Sequence, residues 1–189
     1  MYITASLGKL TDAMQRSSLV RFDTRFDDFD VRGYILAIGP RFFIAALVSD
    51  NLWLDGFECF RISDIRDLEV DPYALFAEAA LFKRGERRPT QSPVSVESLE
   101  ELLLSSAAAF PLVTIHEDIA DAGICKIGRV LGVNNGRLSL LEIGPDAIWD
   151  EAPNEYALDD ITRVNFGGDY EDALNIVSGK PPASLLKEV

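Results

Sequence analysis

Hydrophobic and polar positions follow the same order of patterns twice along the chain. Each half begins with apolar residues at helical spacing, Leu7 and Leu10 in the first half and Leu99 and Leu102 in the second. Several short stretches of alternating apolar and polar residues follow, which is typical of strands. Each half closes on a second helical pattern. The sequence therefore predicts an α+β chain made of two similar units.

Five short strands are predicted in each unit. They are placed at 18–24, 30–38, 41–49, 57–63 and 65–70, and at 111–117, 125–133, 137–143, 155–158 and 161–166. In the last strand of each unit, apolar residues alternate with charged or polar ones, which indicates one buried and one exposed face. Asn135 and Gly136 predict a tight turn between two strands, because both residue types tolerate positive φ.

A helix is predicted to close each unit. Asp71 and Pro72 indicate the start of the first one, and Gly85 its end, since glycine adopts the left-handed conformation at low cost. Asp169 indicates the start of the second. The apolar side of that second helix is expected to consist of Ala173, Leu174, Ile176 and Val177.

The similarity of the halves extends to single residues. The two tryptophans of the chain, Trp53 and Trp149, each stand eleven residues before an aspartate, Asp64 and Asp160. Other matching segments keep an offset of about 95 residues. We interpret the chain as a tandem duplication with units 1–90 and 91–189, joined by a basic, proline-bearing segment.

The unit resembles a known family. A helix followed by five short, bent antiparallel strands with a glycine in the second is similar to the Sm-like small β-barrels, which include Hfq and the LSm proteins. The segments that match are Leu19-Val-Arg-Phe, Gly33-Tyr-Ile-Leu-Ala-Ile, Phe43-Ile-Ala-Ala-Leu and 62–70. The glycine suits a strand that bends sharply. The resemblance implies a closed five-stranded Sm-like barrel in each unit.

Two signatures of that family are missing. The Asp-x-Met-Asn motif that Sm proteins carry after the third strand is replaced by Ser49-Asp-Asn-Leu-Trp and Ile143-Gly-Pro-Asp-Ala, and the Tyr-Lys-His signature of Hfq is absent. The resemblance therefore implies a fold rather than RNA contacts. Because exposed sheet edges must be paired or covered, a monomer with a pseudo-twofold axis or a homodimer is expected.

Charge is distributed unevenly along the chain. The formal net charge is −13, from 31 acidic and 18 basic residues, and residues 93–189 carry 17 of the acidic and 6 of the basic ones. This excess disfavours binding to nucleic acid or to an anionic membrane. Cys59 and Cys125 are too few for a disulfide framework or a zinc site, and no apolar run approaches membrane-spanning length. A cytoplasmic protein is expected.

No catalytic, cofactor-binding or metal-binding residue is predicted. His116, the single histidine, is expected at the surface of a strand and has no nucleophile motif to serve. Acidic turns recur at equivalent places in the two units and offer oxygen ligands, but they lack the spacing of a calcium loop. These turn residues are Asp23, Asp27, Asp28 and Asp30 in the first unit and Glu117, Asp118 and Asp121 in the second.

The leading hypothesis is a non-enzymatic protein-binding module whose acidic second unit contacts a basic partner, as in an immunity or inhibitor-type protein. Trp53 and Trp149 are interpreted as core anchors if buried and as partner contacts if exposed. The acidic residues assigned to the contact are Glu142, Asp146, Asp150, Glu151, Glu155, Asp159 and Asp160. The alternative is an RNA-binding Sm-like protein. It would use Arg21, Arg25, Arg32, Lys83, Arg84, Arg87 and Arg88.

Overall fold

The computed structural model describes residues 2–26, 31–120, 122–183 and 185. The chain divides into two compact units, Met1–Ser92 and Pro93–Val189, which we call unit 1 and unit 2. Within the described residues, each unit contains two α-helices and five strands, and unit 1 has a further 3-10 turn at Ile62–Asp64. None of the helices in this part of the chain combines the length and apolar composition needed to cross a bilayer.

Unit 1 begins with helix α1 (Tyr2–Arg16) and ends with helix α2 (Ala74–Arg84). Its strands are β1 (Leu19–Thr24), β2 (Val31–Ile38), β3 (Phe42–Val48), β4 (Leu54–Arg61) and β5 (Ile65–Val70). They pair antiparallel in the order β5-β1-β2-β3-β4. The rings of Phe22, Phe43 and Phe60 lie with centroids 5.0 to 5.5 Å apart at the centre of the core. Leu10 of α1 belongs to the same cluster.

Unit 2 begins with helix α3 (Leu99–Ala109) and ends with helix α4 (Asp169–Ser178). Its strands are β6 (Val113–His116), β7 (Cys125–Asn134), β8 (Arg137–Glu142), β9 (Asn154–Ala157) and β10 (Arg163–Phe166). They pair in the order β10-β6-β7-β8-β9. Ser98 caps α3, because its hydroxyl accepts a hydrogen bond from the Glu101 nitrogen at 3.1 Å.

The α+β class is confirmed, but the prediction of two closed Sm-like barrels is wrong. The strands form an open antiparallel sheet, in which β4 and β5 stand at opposite ends of the order in unit 1, as do β9 and β10 in unit 2. Closing a barrel requires those end strands to pair with each other. A glycine bends a strand whether or not the sheet closes. The residues that suggested a barrel are therefore compatible with an open sheet.

The glycine of the second strand has the same environment in both units. A Cβ atom on Gly33 would lie 2.6 Å from the Ala46 carbonyl oxygen, and one on Gly128 would lie 2.3 Å from that of Leu141. Two residues further along, the register of each strand pair shifts, after Ile35 in unit 1 and after Val130 in unit 2. Each second strand thus combines a close backbone approach with a bulge.

The predicted turn and helix end are confirmed. Asn135 and Gly136 have φ of 51° and 73° in a two-residue hairpin between β7 and β8. Gly85 ends α2 with φ of 81°. The predicted start of α2 is wrong by two residues: α2 begins after Tyr73, and Asp71 accepts a hydrogen bond from the Tyr73 nitrogen at 2.6 Å. The other carboxylate oxygen of Asp71 pairs with Arg32 at 2.5 Å.

The apolar side expected for α4 is not its buried side. Only Leu174 of the four predicted residues is buried, whereas Ala173, Ile176 and Val177 are exposed. Glu171 is buried instead, with a hydrogen bond to Thr114 of β6. This partner allows a carboxylate to face the sheet in place of an aliphatic side chain.

Candidate functional site

The acidic residues assigned to partner binding occupy three places on unit 2. Glu142 ends β8, and Asp146, Asp150 and Glu151 follow in the segment 142–151, which we call the acidic loop. Glu155 lies in β9, and Asp159 and Asp160 lie in the turn after it. All of them are exposed except Glu142, which is half-buried. The structure therefore gathers four of the seven in the acidic loop.

Two of these carboxylates share one hydrogen-bond donor. Asn154 Nδ2 donates to Glu142 Oε1 at 2.6 Å and to Asp150 Oδ2 at 3.4 Å, and the Tyr156 hydroxyl also donates to Glu142. The pKa of Tyr156 is raised, first by burial and then by the hydrogen bond to Glu142 and the charges of Glu142, Glu117 and Asp150. The acidic loop is thus held in place in a negative potential.

The remaining acids have different surroundings. Glu155 is compensated by Arg137, whose Nε lies 3.9 Å from Glu155 Oε2 and whose Nη2 donates to the Glu155 carbonyl at 3.1 Å. Asp146 turns back on the loop, since its Oδ1 accepts from the Ile148 nitrogen at 3.2 Å. Glu155 is therefore less able than Asp150 to attract an external cation.

The strand register places the acidic loop beside α4. Phe166, Val113, Gly128 and Glu142 form one cross-strand row through β10, β6, β7 and β8. Helix α4 starts just after Phe166, and the acidic loop starts at Glu142. Strands lie about 4.8 Å apart, so the two starting points are separated by about 14 Å along the same end of the sheet.

Packing between α4 and the acidic loop confirms this placement within unit 2. Leu174 of α4 forms a buried cluster with Leu112 and Ile143, and Trp149 packs against it. The opposite side of α4 carries the exposed apolar residues, which we call the α4 face: Tyr170, Ala173, Ile176 and Val177. In the loop, Ile148 is 65% exposed. Unit 2 therefore carries exposed aliphatic side chains both on α4 and in the acidic loop, at the same end of its strands.

The two tryptophans do not occupy equivalent positions. In unit 1 the Ser49 nitrogen donates to the Trp53 carbonyl at 2.9 Å, and in unit 2 the Gly144 nitrogen donates to the Ile148 carbonyl at 2.9 Å. Trp53 therefore corresponds to Ile148, and the sequence match that paired it with Trp149 is one residue out of register.

Their surroundings differ accordingly. Trp149 is half-buried against the α4 cluster, where Leu54 stands in unit 1. Trp53 is 44% exposed, and the Arg84 guanidinium carbon lies 4.5 Å from its ring centroid. One tryptophan thus belongs to a core and the other to a surface.

The end helix of unit 1 also has an exposed apolar side, which sequence analysis missed. Ala77 and Leu81 of α2 are buried, whereas Leu75, Phe76, Ala79 and Phe82 are exposed on the other side and form what we call the α2 face. The available signal was a helix with apolar residues around its whole circumference, which is unusual for a helix with one side in water.

His116 lies in a buried polar cluster rather than at an open surface. Arg163 donates Nε to Asp118 Oδ2 and Nη2 to Asp118 Oδ1, both at 3.0 Å, and Thr162 donates to Asp118 as well. The His116 Nδ1 atom is 3.4 Å from Arg163 Nη2, and the histidine is half-buried. Burial acts to raise the pKa of Asp118, but the hydrogen bonds and charge of Arg163 hold it below its ordinary value.

This cluster ties the end of β6 to the start of β10, because Arg163 engages both oxygens of Asp118. Among the described residues, no group of three or more His, Cys, Asp or Glu side chains is arranged to hold a metal ion. The acidic-turn residues Asp27, Asp28, Asp30 and Asp121 lie outside the described residues.

Several arginines of the RNA-binding alternative are engaged in ion pairs. Arg21 pairs with Glu69 at 2.5 Å, Arg25 with Asp64 at 3.2 Å and Arg32 with Asp71 at 2.5 Å. Arg84 and Arg88 donate to the carbonyl oxygens of Leu52 and Ser17, each at 2.7 Å.

Comparison with family models, curated proteins and solved structures gives no match to this chain.

Proposed function

We propose that the protein is a non-enzymatic protein-binding module, in which the acidic loop and the α4 face bind a basic partner. The observation that carries this proposal is the exposure of aliphatic side chains beside the acids: Ile148 is 65%, Ile176 79% and Val177 74% exposed. Apolar residues scattered singly over a surface are ordinary, whereas a group of them rimmed by polar residues is typical of an interaction site.

Burial of these side chains supplies affinity. Covering one fully exposed Val, Leu or Ile side chain contributes about 1.5 to 3 kcal/mol. Three of them supply several kcal/mol before the losses of association are subtracted. The carboxylates around them contribute specificity and association rate, because unit 2 carries 17 acidic and 6 basic residues between positions 93 and 189.

The fixed acids favour a cationic partner over a neutral one. Glu142 and Asp150 are held on the same amide of Asn154, so two like charges stay close in the free molecule. A lysine or arginine from a partner relieves that repulsion. An immunity or inhibitor-type role against a basic protein is the finer form of this proposal, and it rests on the charge of unit 2.

We also propose that the two units are copies of one ancestral unit. Support comes from the matching strand orders, the glycine contacts of Gly33 and Gly128 and the bulges that follow them. If so, the surfaces of α2 and α4 are equivalent positions that have acquired different side chains. Among the residues that the structure describes, no contact favours the RNA-binding alternative.

Two synthetic helical peptides of opposite charge test the binding proposal. One consists of leucine and lysine, and the other has glutamate in place of lysine. Amide NMR of the labelled protein should show shifts in α4 and the acidic loop with the lysine peptide, weakened by salt, and none with the glutamate peptide. The double substitution Ile176→Ser and Val177→Ser should weaken lysine-peptide binding about tenfold or more.

Ile119 provides a matched control. It is 64% exposed in unit 2, but it follows His116 at the opposite end of β6 from Val113 and α4. Ile119→Ser should leave binding unchanged. Equal binding of both peptides, or equal weakening by Ile119→Ser, would contradict the proposal.

A further inference from the structure

The α2 face of unit 1 is the more strongly exposed of the two helix faces. Leu75 is 87% and Phe82 83% exposed, and Phe76 lies beside them. Ala77 and Leu81 anchor the opposite side of the helix in the core of unit 1. Aromatic and aliphatic side chains exposed to water over about two helical turns are unfavourable, and covering them with a partner is favourable.

The charge at the end of α2 is opposite to that of unit 2. Lys83 and Arg84 form its last turn, and Arg87 and Arg88 follow within four residues. Lys83 and Arg87 are exposed and have no ion pair among the residues that the structure describes. The α2 face therefore fits the basic, apolar partner proposed for unit 2.

We infer that the partner is a second copy of this chain, with the α2 face of one copy packed antiparallel on the α4 face of the other. This inference rests on the proposed function and specifies its partner. The helices match in length, with 11 and 10 residues, or about 15 Å each. Antiparallel packing brings the basic end of α2 beside Asp169 and Asp172 at the start of α4 and opposes the two helix dipoles.

The expected interaction depends on concentration. Two three-turn helices bury less than the roughly 800 Å² per partner that a stable interface needs. Each copy offers both faces, so the contact is made twice in a closed dimer or repeated in an open chain. Sedimentation velocity over a concentration series should show reversible association of the wild-type chain.

Charge reversal in trans tests which helices meet. Lys83→Glu places an acid on α2 opposite the acidic start of α4 in the other copy, and Asp172→Lys places a base on α4 opposite the basic end of α2. Each variant alone should therefore associate about three- to tenfold more weakly than the wild-type chain. An equimolar mixture of the two variants should regain wild-type association, because each α2 then faces a complementary α4. Restoration only when both substitutions stand in one chain would indicate an intramolecular contact and overturn the inference.

Two further variants separate surface effects from misfolding. Phe82→Asp should weaken association at least tenfold without changing the circular dichroism spectrum. Arg41→Glu makes the same charge change as Lys83→Glu, but it lies in the β2–β3 turn at the opposite end of β2 from Gly33, and it should have no effect. An equal effect of Arg41→Glu would attribute the association to net charge and overturn the inference.

The peptide experiment distinguishes the two proposals. A chain that remains monomeric at all concentrations, while unit 2 still binds the leucine-lysine peptide, refutes the second copy as partner and leaves the proposed function standing. A chain that neither associates nor binds that peptide refutes both.

Discussion

Alanine at the two strand glycines measures how tightly the second strand of each unit crosses its neighbour. A Cβ contact below 3.0 Å is essentially never observed, so Gly128→Ala must lengthen its contact with the Leu141 oxygen from 2.3 Å to at least 3.0 Å. Gly33→Ala needs a smaller change, from 2.6 Å at the Ala46 oxygen. Both obstacles are backbone atoms of a paired strand, which cannot rotate away as a side chain does. Overpacking of this kind costs about 1 to 3 kcal/mol, and Gly128→Ala should lie at the upper end.

Urea unfolding provides the assay, with one tryptophan retained in each background. Trp53→Phe leaves Trp149 as the reporter of unit 2, and Trp149→Phe leaves Trp53 as the reporter of unit 1. Gly8→Ala is the control, because its Cβ meets nothing within 4 Å and a helical alanine is favoured over glycine by up to about 1 kcal/mol. If both strand variants unfold at the same urea concentration as Gly8→Ala, the close approach does not constrain the strands and the reasoning fails.

Two other predictions concern buried groups. Asp118→Asn should lower the free energy of unfolding by about 3 kcal/mol, because it removes the buried carboxylate charge to which Arg163 Nε and Nη2 both donate. Folding lowers the pKa of Asp118, so the stabilisation is complete above the ordinary carboxyl pKa near 4 and is lost as pH falls through the folded pKa. Urea titrations from pH 7 to 3 should therefore show a smaller loss of unfolding free energy with falling pH in the variant than in the wild-type chain. Thiol titration should detect Cys125 at once and Cys59 only after unfolding, because burial, followed by the charge of Glu58, raises the pKa of the Cys59 thiol. Rapid reaction of both thiols in the native protein would contradict the second expectation.

Local features of the fold could be predicted from the sequence because they depend on neighbouring residues. Positive φ at Gly136 and Gly85 and the alternation in the last strands are decided within a few residues. Closure of a barrel depends on pairing between strands far apart in sequence, such as β4 and β5 across the whole sheet order, and periodicity carries no information about it. The expected barrel failed for that reason.

The candidate site was only partly accessible to the same reasoning. The acidic residues of the loop could be picked out from the sequence, because a count of charged residues does not depend on how the strands pair. The sequence match of Trp53 with Trp149 failed by one residue, because two equal spacings to an aspartate do not fix a loop's hydrogen bonds. The exposed side of α4 was mistaken for its buried side, because Ala173, Leu174, Ile176 and Val177 span more than one side of the helix and periodicity alone does not select the packed residue.

Comparison of equivalent positions separates the features that build each unit from those that distinguish it. Gly33 and Gly128 have the same contacts, because no other residue fits against the neighbouring backbone. Trp53 and Ile148 occupy matching loop positions under no such steric limit, and they differ. The last turn of α2 is basic, and the first turn of α4 is acidic. These opposite charges border apolar faces on the last helix of each unit, and this is the complementarity that the proposed contact between two copies requires.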